Sequence, residues 1–461
     1  MGSRAGPLLA ACLLAAAAAS GQGAGEMSRA DRSALADGLA AFDRGEAERA
    51  ESALAGLVQR YPSRFEIVET LGLIYARRND LTRAATFFEK ACKANGASGP
   101  AWANLGAAYL GLGRNQEAVE ALEKAAALDP QNGQTQSGLG QALMLAGRPQ
   151  RAAQAFAAAN DATPGDPDIV YNWGLALYES GDAGRAAAIL ERVPAASMSA
   201  QAHSLAGDAE ERIGRFDLAL AHKRDAARGE PSEGNLDALG IELLRHGNFD
   251  AAIEVYEYGL SRQASSARLR MGLGIARYGL NDFGGSARIF SGLLATYPDE
   301  ARYASLLGGS CNAMKDDGDA GSACDDLLDY AERHPADAAG NTAAASLIVN
   351  RGQTAKFDGA RRMLERAIAA DPGSAEPWLE LGILELERGN WRESLAALRK
   401  AAALRPASSK THWRLAQTYS HLGEREKAHE ELALHEQCHE TEEAGQDAHQ
   451  RSIQTFILNE D

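Results

Sequence analysis

A glycine recurs every 34 residues along the first part of the chain, and this interval limits the folds that the sequence can adopt. The glycines are Gly38, Gly72, Gly106, Gly140 and Gly174. An alanine keeps the same interval at Ala50, Ala84, Ala118, Ala152 and Ala186. A fixed period of this length indicates an array of similar supersecondary units. The markers continue with small slips, which predicts about twelve units over residues 31–442.

Residues 101–130 show what one unit contains. Apolar residues recur at helical spacing in two stretches, and the segment 111–116 between them holds turn-forming Gly, Arg and Asn. This pattern predicts two antiparallel helices that end near Pro130. A hairpin of this size cannot bury its apolar face alone, so each unit must stack on its neighbours. The small glycine and alanine are expected where the two helices cross.

The combined pattern W-x₂-L-G-x₂-Y, A-x₃-F/L and a closing Pro resembles the tetratricopeptide repeat over about nine-tenths of the chain. The resemblance implies an all-α fold, a right-handed superhelical solenoid of antiparallel helix pairs whose first helices line a concave groove. A 35-residue RNA-reading helical repeat fits these markers less well. The net charge of −16 also disfavours nucleic acid and anionic membrane surfaces as partners.

The same resemblance implies a non-catalytic scaffold that binds a protein or peptide partner in the groove, with no cofactor. Groove-facing residues would occupy the second, fifth, ninth and twelfth positions of each first helix. In the middle units these positions hold Gln141, Met144, Tyr171, Leu175, Tyr178, Asp208, Glu211, Arg268, Met271, Ile275 and Tyr278. The alternative is that some of them pack between units. An alternative function is the accessory arm of a cell-envelope enzyme complex, in biogenesis, secretion or polysaccharide export.

The segment His435-Glu436-Gln437-Cys438-His439 matches H-E-x-x-H, in which two histidines one helical turn apart bind zinc and the glutamate is a general base. Cys438 would add a thiolate. This part of the chain is so rich in Glu and His that chance matches are easy, and we expect a solvated helix face. A weak metal site at His435, Cys438 and His439 and, more remotely, a metal-dependent enzyme are the alternatives.

Two cysteines, Cys311 and Cys324, fall on the two predicted helices of one unit. In an exported protein they could form a disulfide, and otherwise they are two small buried thiols. Cys92 and Cys438 have no obvious partner.

The first residues have the layout of a secretory signal peptide, with one early Arg4, an apolar run and small residues up to about residue 20. Leu9-Ala10-Ala11-Cys12 also resembles a bacterial lipobox, so lipidation at Cys12 is an alternative. We expect a flexible leader over 21–30 and an exported chain, periplasmic or extracellular. No other segment is apolar enough to span a membrane. Residues 443–461 lose the repeat phase and are expected to be a frayed tail or a capping segment that docks Ile453, Phe456 and Ile457.

Overall fold

The computed structural model describes residues 27–314 and 321–457, with side chains described up to residue 442. Within these residues the chain forms 24 α-helices and no β-strand, which confirms the all-α prediction. The predicted signal peptide, the lipobox at Cys12 and most of the leader lie outside the described residues. The first helix begins at Arg29, two residues before the predicted start of the solenoid, and the Ser28 hydroxyl accepts a hydrogen bond from the Asp31 N–H.

The chain divides into two compact units, Met1–His222 and Lys223–Asp461, and the division falls within the twelfth helix. The helices of the N-terminal unit are α1 Arg29–Asp43, α2 Ala47–Arg60, α3 Phe65–Arg77, α4 Leu81–Ala94, α5 Gly99–Gly111, α6 Asn115–Leu128, α7 Gly133–Leu145, α8 Pro149–Ala162, α9 Pro167–Glu179, α10 Ala183–Leu190, α11 Ala200–Arg212 and the start of α12 Phe216–Gly229.

The C-terminal unit contains the end of α12 and twelve further helices. They are α13 Glu233–Arg245, α14 Phe249–Arg262, α15 Ala267–Gly279, α16 Phe283–Thr296, α17 Ala301–Ala313, α18 Gly321–Arg333, α19 Ala338–Asn350, α20 Phe357–Ala370, α21 Ala375–Glu387, α22 Trp391–Leu404, α23 Ser409–His421 and α24 Arg425–Ile457.

Within each unit the helices pack in the order of the chain. Over α1 to α10 and α13 to α24, each odd-numbered helix packs against the next helix as a pair, and each pair packs on the pair that follows. Helix α11 contacts the start of α12 through His203 and His222. In the pair α5/α6, Gly99 at the start of one helix faces Leu128 at the end of the other, which makes the two helices antiparallel. The predicted solenoid of antiparallel helix pairs is therefore confirmed within each unit.

The recurring glycine makes room for a large side chain on the second helix of its own pair. A Cβ atom added to Gly106 would lie 2.5 Å from Cγ of Leu122, far inside van der Waals contact. In eight pairs of the described residues, the large residue stands sixteen positions after the glycine. The eight such pairs are Gly38 with Leu54, Gly72 with Phe88, Gly106 with Leu122, Gly140 with Phe156, Gly174 with Leu190, Gly240 with Tyr256, Gly274 with Phe290 and Gly382 with Leu398.

The recurring alanine stands four positions before the large side chain. The alanines are fully buried, and in two pairs a serine takes their place. The Ser286 hydroxyl donates to the Gly274 carbonyl at 2.9 Å, and the Ser394 hydroxyl donates to the Gly382 carbonyl at 2.8 Å. The position thus admits a small residue only. The expected close crossing is confirmed, but the residue that fills the glycine's space is the large one four positions beyond the alanine.

In every pair whose turn the structure describes, the turn ends the first helix with a residue of positive φ. Gly113 has a φ of 71°, and the next residue, Arg114, donates its N–H to the Tyr109 carbonyl at 2.9 Å. Asn79 takes the same place after α3, with a φ of 59°. A left-handed residue satisfies the last carbonyls of the helix and turns the chain back.

One second helix is much shorter than the others. Helix α10 has 8 residues, whereas every other second helix in the described residues has at least 13. Pro194 follows closely, and proline has no N–H to continue a helical hydrogen-bond ladder. A 3₁₀ turn at Ala195–Ser197 replaces the missing length. This irregular stretch lies where the repeat is one residue short, since Ala186 and Ala219 are 33 residues apart.

The last helix, α24, extends from Arg425 to Ile457 without a break, so the backbone of residues 443–457 is helical. The Glu442 carboxylate accepts hydrogen bonds from the Ser409 hydroxyl at 2.6 Å and the Ser409 N–H at 3.2 Å. These bonds lower the pKa of Glu442 and attach α24 to the first residue of α23. The proposed docking of Ile453, Phe456 and Ile457 lies outside the described side chains.

We expect Gly106→Ala to lower the free energy of unfolding by about 1–3 kcal/mol, because the added methyl group overlaps Leu122. Gly56, on the exposed face of α2, is the matched control, since a Cβ added there meets no atom within 4 Å. Gly56→Ala should be neutral or stabilise the helix by about 0.5–1 kcal/mol. Urea unfolding followed by circular dichroism measures both, and equal effects of the two substitutions would contradict the assigned crossing.

Candidate partner-binding face

First helices of successive pairs lie side by side in the structure. In the N-terminal unit α3 contacts α5, α5 contacts α7 and α7 contacts α9, and in the C-terminal unit α19 contacts α21 and α21 contacts α23. Positions two, five, nine and twelve therefore share one surface within each run of contacting first helices, which is α1 to α11 in the N-terminal unit, and α13 to α15 and α17 to α23 in the C-terminal unit. We call this surface the first-helix face of that unit.

Five predicted binding residues lie on the first-helix face of the N-terminal unit. Gln141 and Met144 are on α7, and Tyr171, Leu175 and Tyr178 are on α9, and all five are partly buried. Met144 packs against the main apolar core of its unit. The three residues of α9 pack against a small apolar cluster formed by Leu190, Leu205 and Ala206. These side chains contribute to packing between helices and retain some exposed surface.

The two tyrosines of α9 are held in place by their surroundings. The Arg212 guanidinium lies 4.7 Å from the ring centre of Tyr178, and Arg212 also donates to the Tyr178 carbonyl at 3.4 Å. Burial raises the pKa of the Tyr171 phenol above its ordinary value. Asp208 and Glu211, on α11, are partly buried, and both take part in interactions within the chain.

Four predicted residues lie on α15 in the C-terminal unit. Their exposure varies more than that of the predicted residues in the N-terminal unit. Met271 and Ile275 are partly buried and pack against the core of this unit. The Tyr278 side chain is 42% exposed, with its ring edge-on to Phe283 at 5.1 Å. Arg268 has a 59% exposed side chain and forms a loose ion pair of 3.7 Å with Asp237 on α13.

Sequence reasoning missed a fourth apolar residue of this surface. Ile241 is the ninth residue of α13, one 34-residue step before Ile275, and it is 39% exposed. The rule that selected Ile275, the ninth position of a first helix, also selects Ile241. Together they make a partly exposed apolar row of Ile241, Met271, Ile275 and Tyr278.

A second set was missed at the end of the C-terminal unit. An open cavity of about 470 Å³ lies on the first-helix face between α21 and α23. Its lining residues are Leu386, Glu387, Trp391, Arg414, Gln417, Ser420 and His421. The position rule would have found Leu386, Gln417 and Ser420. Trp391 begins a second helix, and only the tertiary packing brings it to this surface.

Another cavity, of about 360 Å³, lies where α8 meets the end of α9 and the start of α10 in the N-terminal unit. Gln150 and Gln154 of α8 line it, together with Asp182 and Arg185. Asp182 and Arg185 form an ion pair of 3.5 Å, and Asp182 also caps α10. The two charged side chains of this cavity thus already pair with each other, and Asp182 also stabilises the start of α10.

Glu69 is a carboxyl group with an altered pKa at the fifth position of α3. Burial raises its pKa to about 7, and a hydrogen bond from the Asn104 side chain at 3.0 Å opposes that shift. Its second oxygen is buried and has no hydrogen-bond partner among the described residues. Burial also raises the pKa of the nearby Cys92 thiol to about 12, with a smaller contribution from Glu69.

The H-E-x-x-H segment lies on α24. The His435 Nδ1 donates to the Ser409 carbonyl at 3.0 Å, and its ring lies 5.4 Å from that of Trp413 and 5.7 Å from that of His439. The Cys438 thiol faces the Pro406 carbonyl at 3.9 Å. Within the part of the chain that the structure describes, no three His, Cys, Asp or Glu side chains form a group that could hold a metal ion. His435 therefore takes part in attaching α24 to α23.

Cys311 and Cys324 are joined by a disulfide that links α17 to α18, and both are buried. Cys324 stands sixteen residues after Gly308, where the regular pairs have a leucine or an aromatic residue. A Cβ added to Gly308 would instead meet the methyl group of Ala343, on α19, at 2.6 Å. The disulfide thus occurs in a pair that lacks the regular contact between a glycine and a large side chain sixteen residues later.

Among the described helices, none is both long enough and apolar enough to cross a membrane.

Similar solved structures are helical repeat proteins at low sequence identity. The Naa15/Naa10 complex bound to HypK-THB is 16% identical, covering 88% of this chain and 68% of that one, at a TM-score of 0.40. Yeast Tom70 is 13% identical, and the match covers 86% of this chain and 97% of Tom70 at a TM-score of 0.38. YrrB, described as a TPR protein with an unusual peptide-binding site, is 21% identical. That match covers 41% of this chain and 96% of YrrB at a TM-score of 0.37. At these TM-scores the similarities carry no argument about function.

No curated protein sequence matches the chain significantly. Family models of the tetratricopeptide repeat do match. One covers residues 35–100, 104–167, 238–301, 350–409 and 379–434, and a second covers 143–209. These matches extend over more than half of the chain and fall on the helix pairs described above. The chain belongs to the tetratricopeptide repeat family.

Proposed function

We propose that this protein is a non-catalytic scaffold that binds an extended segment of a partner protein on its first-helix face. Tetratricopeptide repeat proteins are in general scaffolds for protein interactions, and the partner is identified here only as a protein or peptide. The observation that carries the proposal is the apolar row of the C-terminal unit. Ile241 and Tyr278 at its two ends are 39% and 42% exposed.

The row has the composition of a protein contact site. Aromatic and methionine side chains adapt to different partners and contribute much of the binding energy at interfaces. The exposed Arg268 and its partner Asp237 border the row and supply a polar rim. Because Met271 and Ile275 are anchored in the core, the row would be held in position before a partner binds.

We also propose that the protein is exported and works in an oxidising compartment. The leader-like first residues support this, and so does the buried Cys311–Cys324 disulfide. Disulfides persist in secreted and periplasmic proteins and are rare in the reducing cytosol.

We expect Tyr278→Glu to reduce recovery of native partners at least about tenfold, because a buried unpaired charge in an interface costs more than about 1.4 kcal/mol. Tyr258→Glu is the matched control, since Tyr258 is 48% exposed but lies on the second helix α14. Quantitative pull-down from the native cell envelope measures both. Equal recovery with the two variants would contradict the assignment of the binding surface.

Replacement of Cys311 and Cys324 by alanine should lower the free energy of unfolding of the C-terminal unit by about 3 kcal/mol, because the 13-residue loop becomes open in the unfolded chain. Cys438→Ser, at a partly exposed free thiol, should have little effect. Thermal unfolding measures stability, and alkylation of the exported protein before reduction tests the bond itself. Labelling of Cys311 or Cys324 in that experiment would refute an oxidised pair.

A further inference from the structure

The cavity between α21 and α23 contains an arginine without an anionic partner. Arg414 is partly buried, and its Nη1 donates to the neutral Gln417 side chain at 3.0 Å. Among the side chains that the structure describes, no carboxylate forms an ion pair with Arg414. The next cation along the same helix, Lys410, is by contrast paired with Glu380 at 2.9 Å. A partly buried guanidinium gains most from a carboxylate, which it can bind through two hydrogen bonds.

Two stacked aromatic rings line the cavity. The indole of Trp391 and the imidazole of His421 stack with ring centres 4.1 Å apart and planes only 4° from parallel. The side chain of Leu386 lies beside them in the lining. Since both rings are held by this stack, they are preorganised for an aromatic or apolar group, and binding costs little further ordering.

Glu387 is the one acidic side chain in the lining, and it is exposed. An exposed carboxylate is well solvated and interacts weakly with charges on a ligand. Removal of the Glu387 charge should nevertheless change the affinity in opposite directions for an acidic and a basic ligand, so this substitution reports the sign of the ligand's charge. A carboxylate ligand is attracted by Arg414 and weakly repelled by Glu387, whereas a basic ligand experiences the opposite forces.

We infer that this cavity binds an acidic side chain of a partner peptide, with the carboxylate on Arg414 and a neighbouring aromatic or apolar residue against Trp391. The inference rests on the proposed scaffold function and specifies the chemistry of one subsite. Charge complementarity identifies the acidic group, and the stacked aromatic rings identify its neighbour. A peptide fits better than a small free acid because the cavity is open along the first-helix face.

The test begins with a displayed library of random peptides, selected on the full-length protein. Enriched peptides are then labelled with fluorescein and measured by anisotropy, each beside an analogue with its acidic residue changed to the amide. Both peptides are titrated against the original protein, Arg414→Gln and Glu387→Gln. Arg392→Gln, at an exposed arginine on the second helix α22, is the matched control.

We expect Arg414→Gln to weaken the acidic peptide about tenfold or more and to leave the amide analogue nearly unchanged. Glu387→Gln should strengthen the acidic peptide about two- to threefold, and Arg392→Gln should have no effect. Trp391→Ala should weaken both peptides. Circular dichroism checks that each variant is folded, and Glu387→Gln provides a second readout at an exposed position.

The inference would be overturned if Arg414→Gln changed the affinity for the acidic peptide and for its amide analogue equally. The scaffold proposal would still stand, because the peptides bind. The opposite signs, with Glu387→Gln weakening and Arg414→Gln strengthening binding, would assign a basic ligand instead. Displacement of the peptide by N-acetylglutamate at equal concentration would assign the cavity to a small acid. Failure to select any peptide would contradict the scaffold function and this inference together.

Discussion

The fold depends on the contact between a glycine of the first helix and a large side chain of the second helix. Gly106 and Leu122 show the geometry, because the leucine occupies the volume that any side chain at Gly106 would need. Where a serine stands four residues before the large side chain, as in two pairs, its hydroxyl donates to the carbonyl of the glycine, so the two helices lie close together at this point. Close packing of this kind supplies the dispersion contacts and apolar burial that an isolated hairpin lacks. Stacking of pairs within each unit then completes the burial.

This contact also determines which residues are left for a partner. Because the glycine and its neighbours are used in packing, positions two, five, nine and twelve retain exposed surface on several first helices, among them α7, α9 and α15. On α21 the residues at the last three of these positions, Leu379, Ile383 and Leu386, are buried. How much remains differs along the chain. On α9, next to the short helix α10, Tyr171, Leu175 and Tyr178 help to cover a small apolar cluster. On α13 and α15, where the second helices have full length, Ile241 and Tyr278 are considerably exposed.

The pair α17/α18 lacks the contact between a glycine and a large side chain sixteen residues later, and a disulfide joins its two helices instead. The position that should hold a large side chain has Cys324, and Gly308 accommodates Ala343 of the following pair instead. A covalent bond from Cys324 to Cys311 holds the two helices where the usual side-chain contact is missing. The end of the chain differs from the regular pairs in another way. There Glu442 and His435 bind polar groups of Ser409, so hydrogen bonds rather than a further pair hold α24 on α23.

The repeat family, the helix pairs and the positions of the small residues were determined by the sequence alone, because a fixed 34-residue period requires identical packing at each step. Sequence also placed Met271, Ile275 and Tyr278 on one surface, since helical periodicity decides which residues share a face. It could not rank them, because exposure depends on what neighbouring pairs cover. Nor could it find the cavity at Arg414. Trp391 and His421 are 30 residues apart and on different helices, and only the packing of one pair on the next stacks their rings beside an unpaired guanidinium.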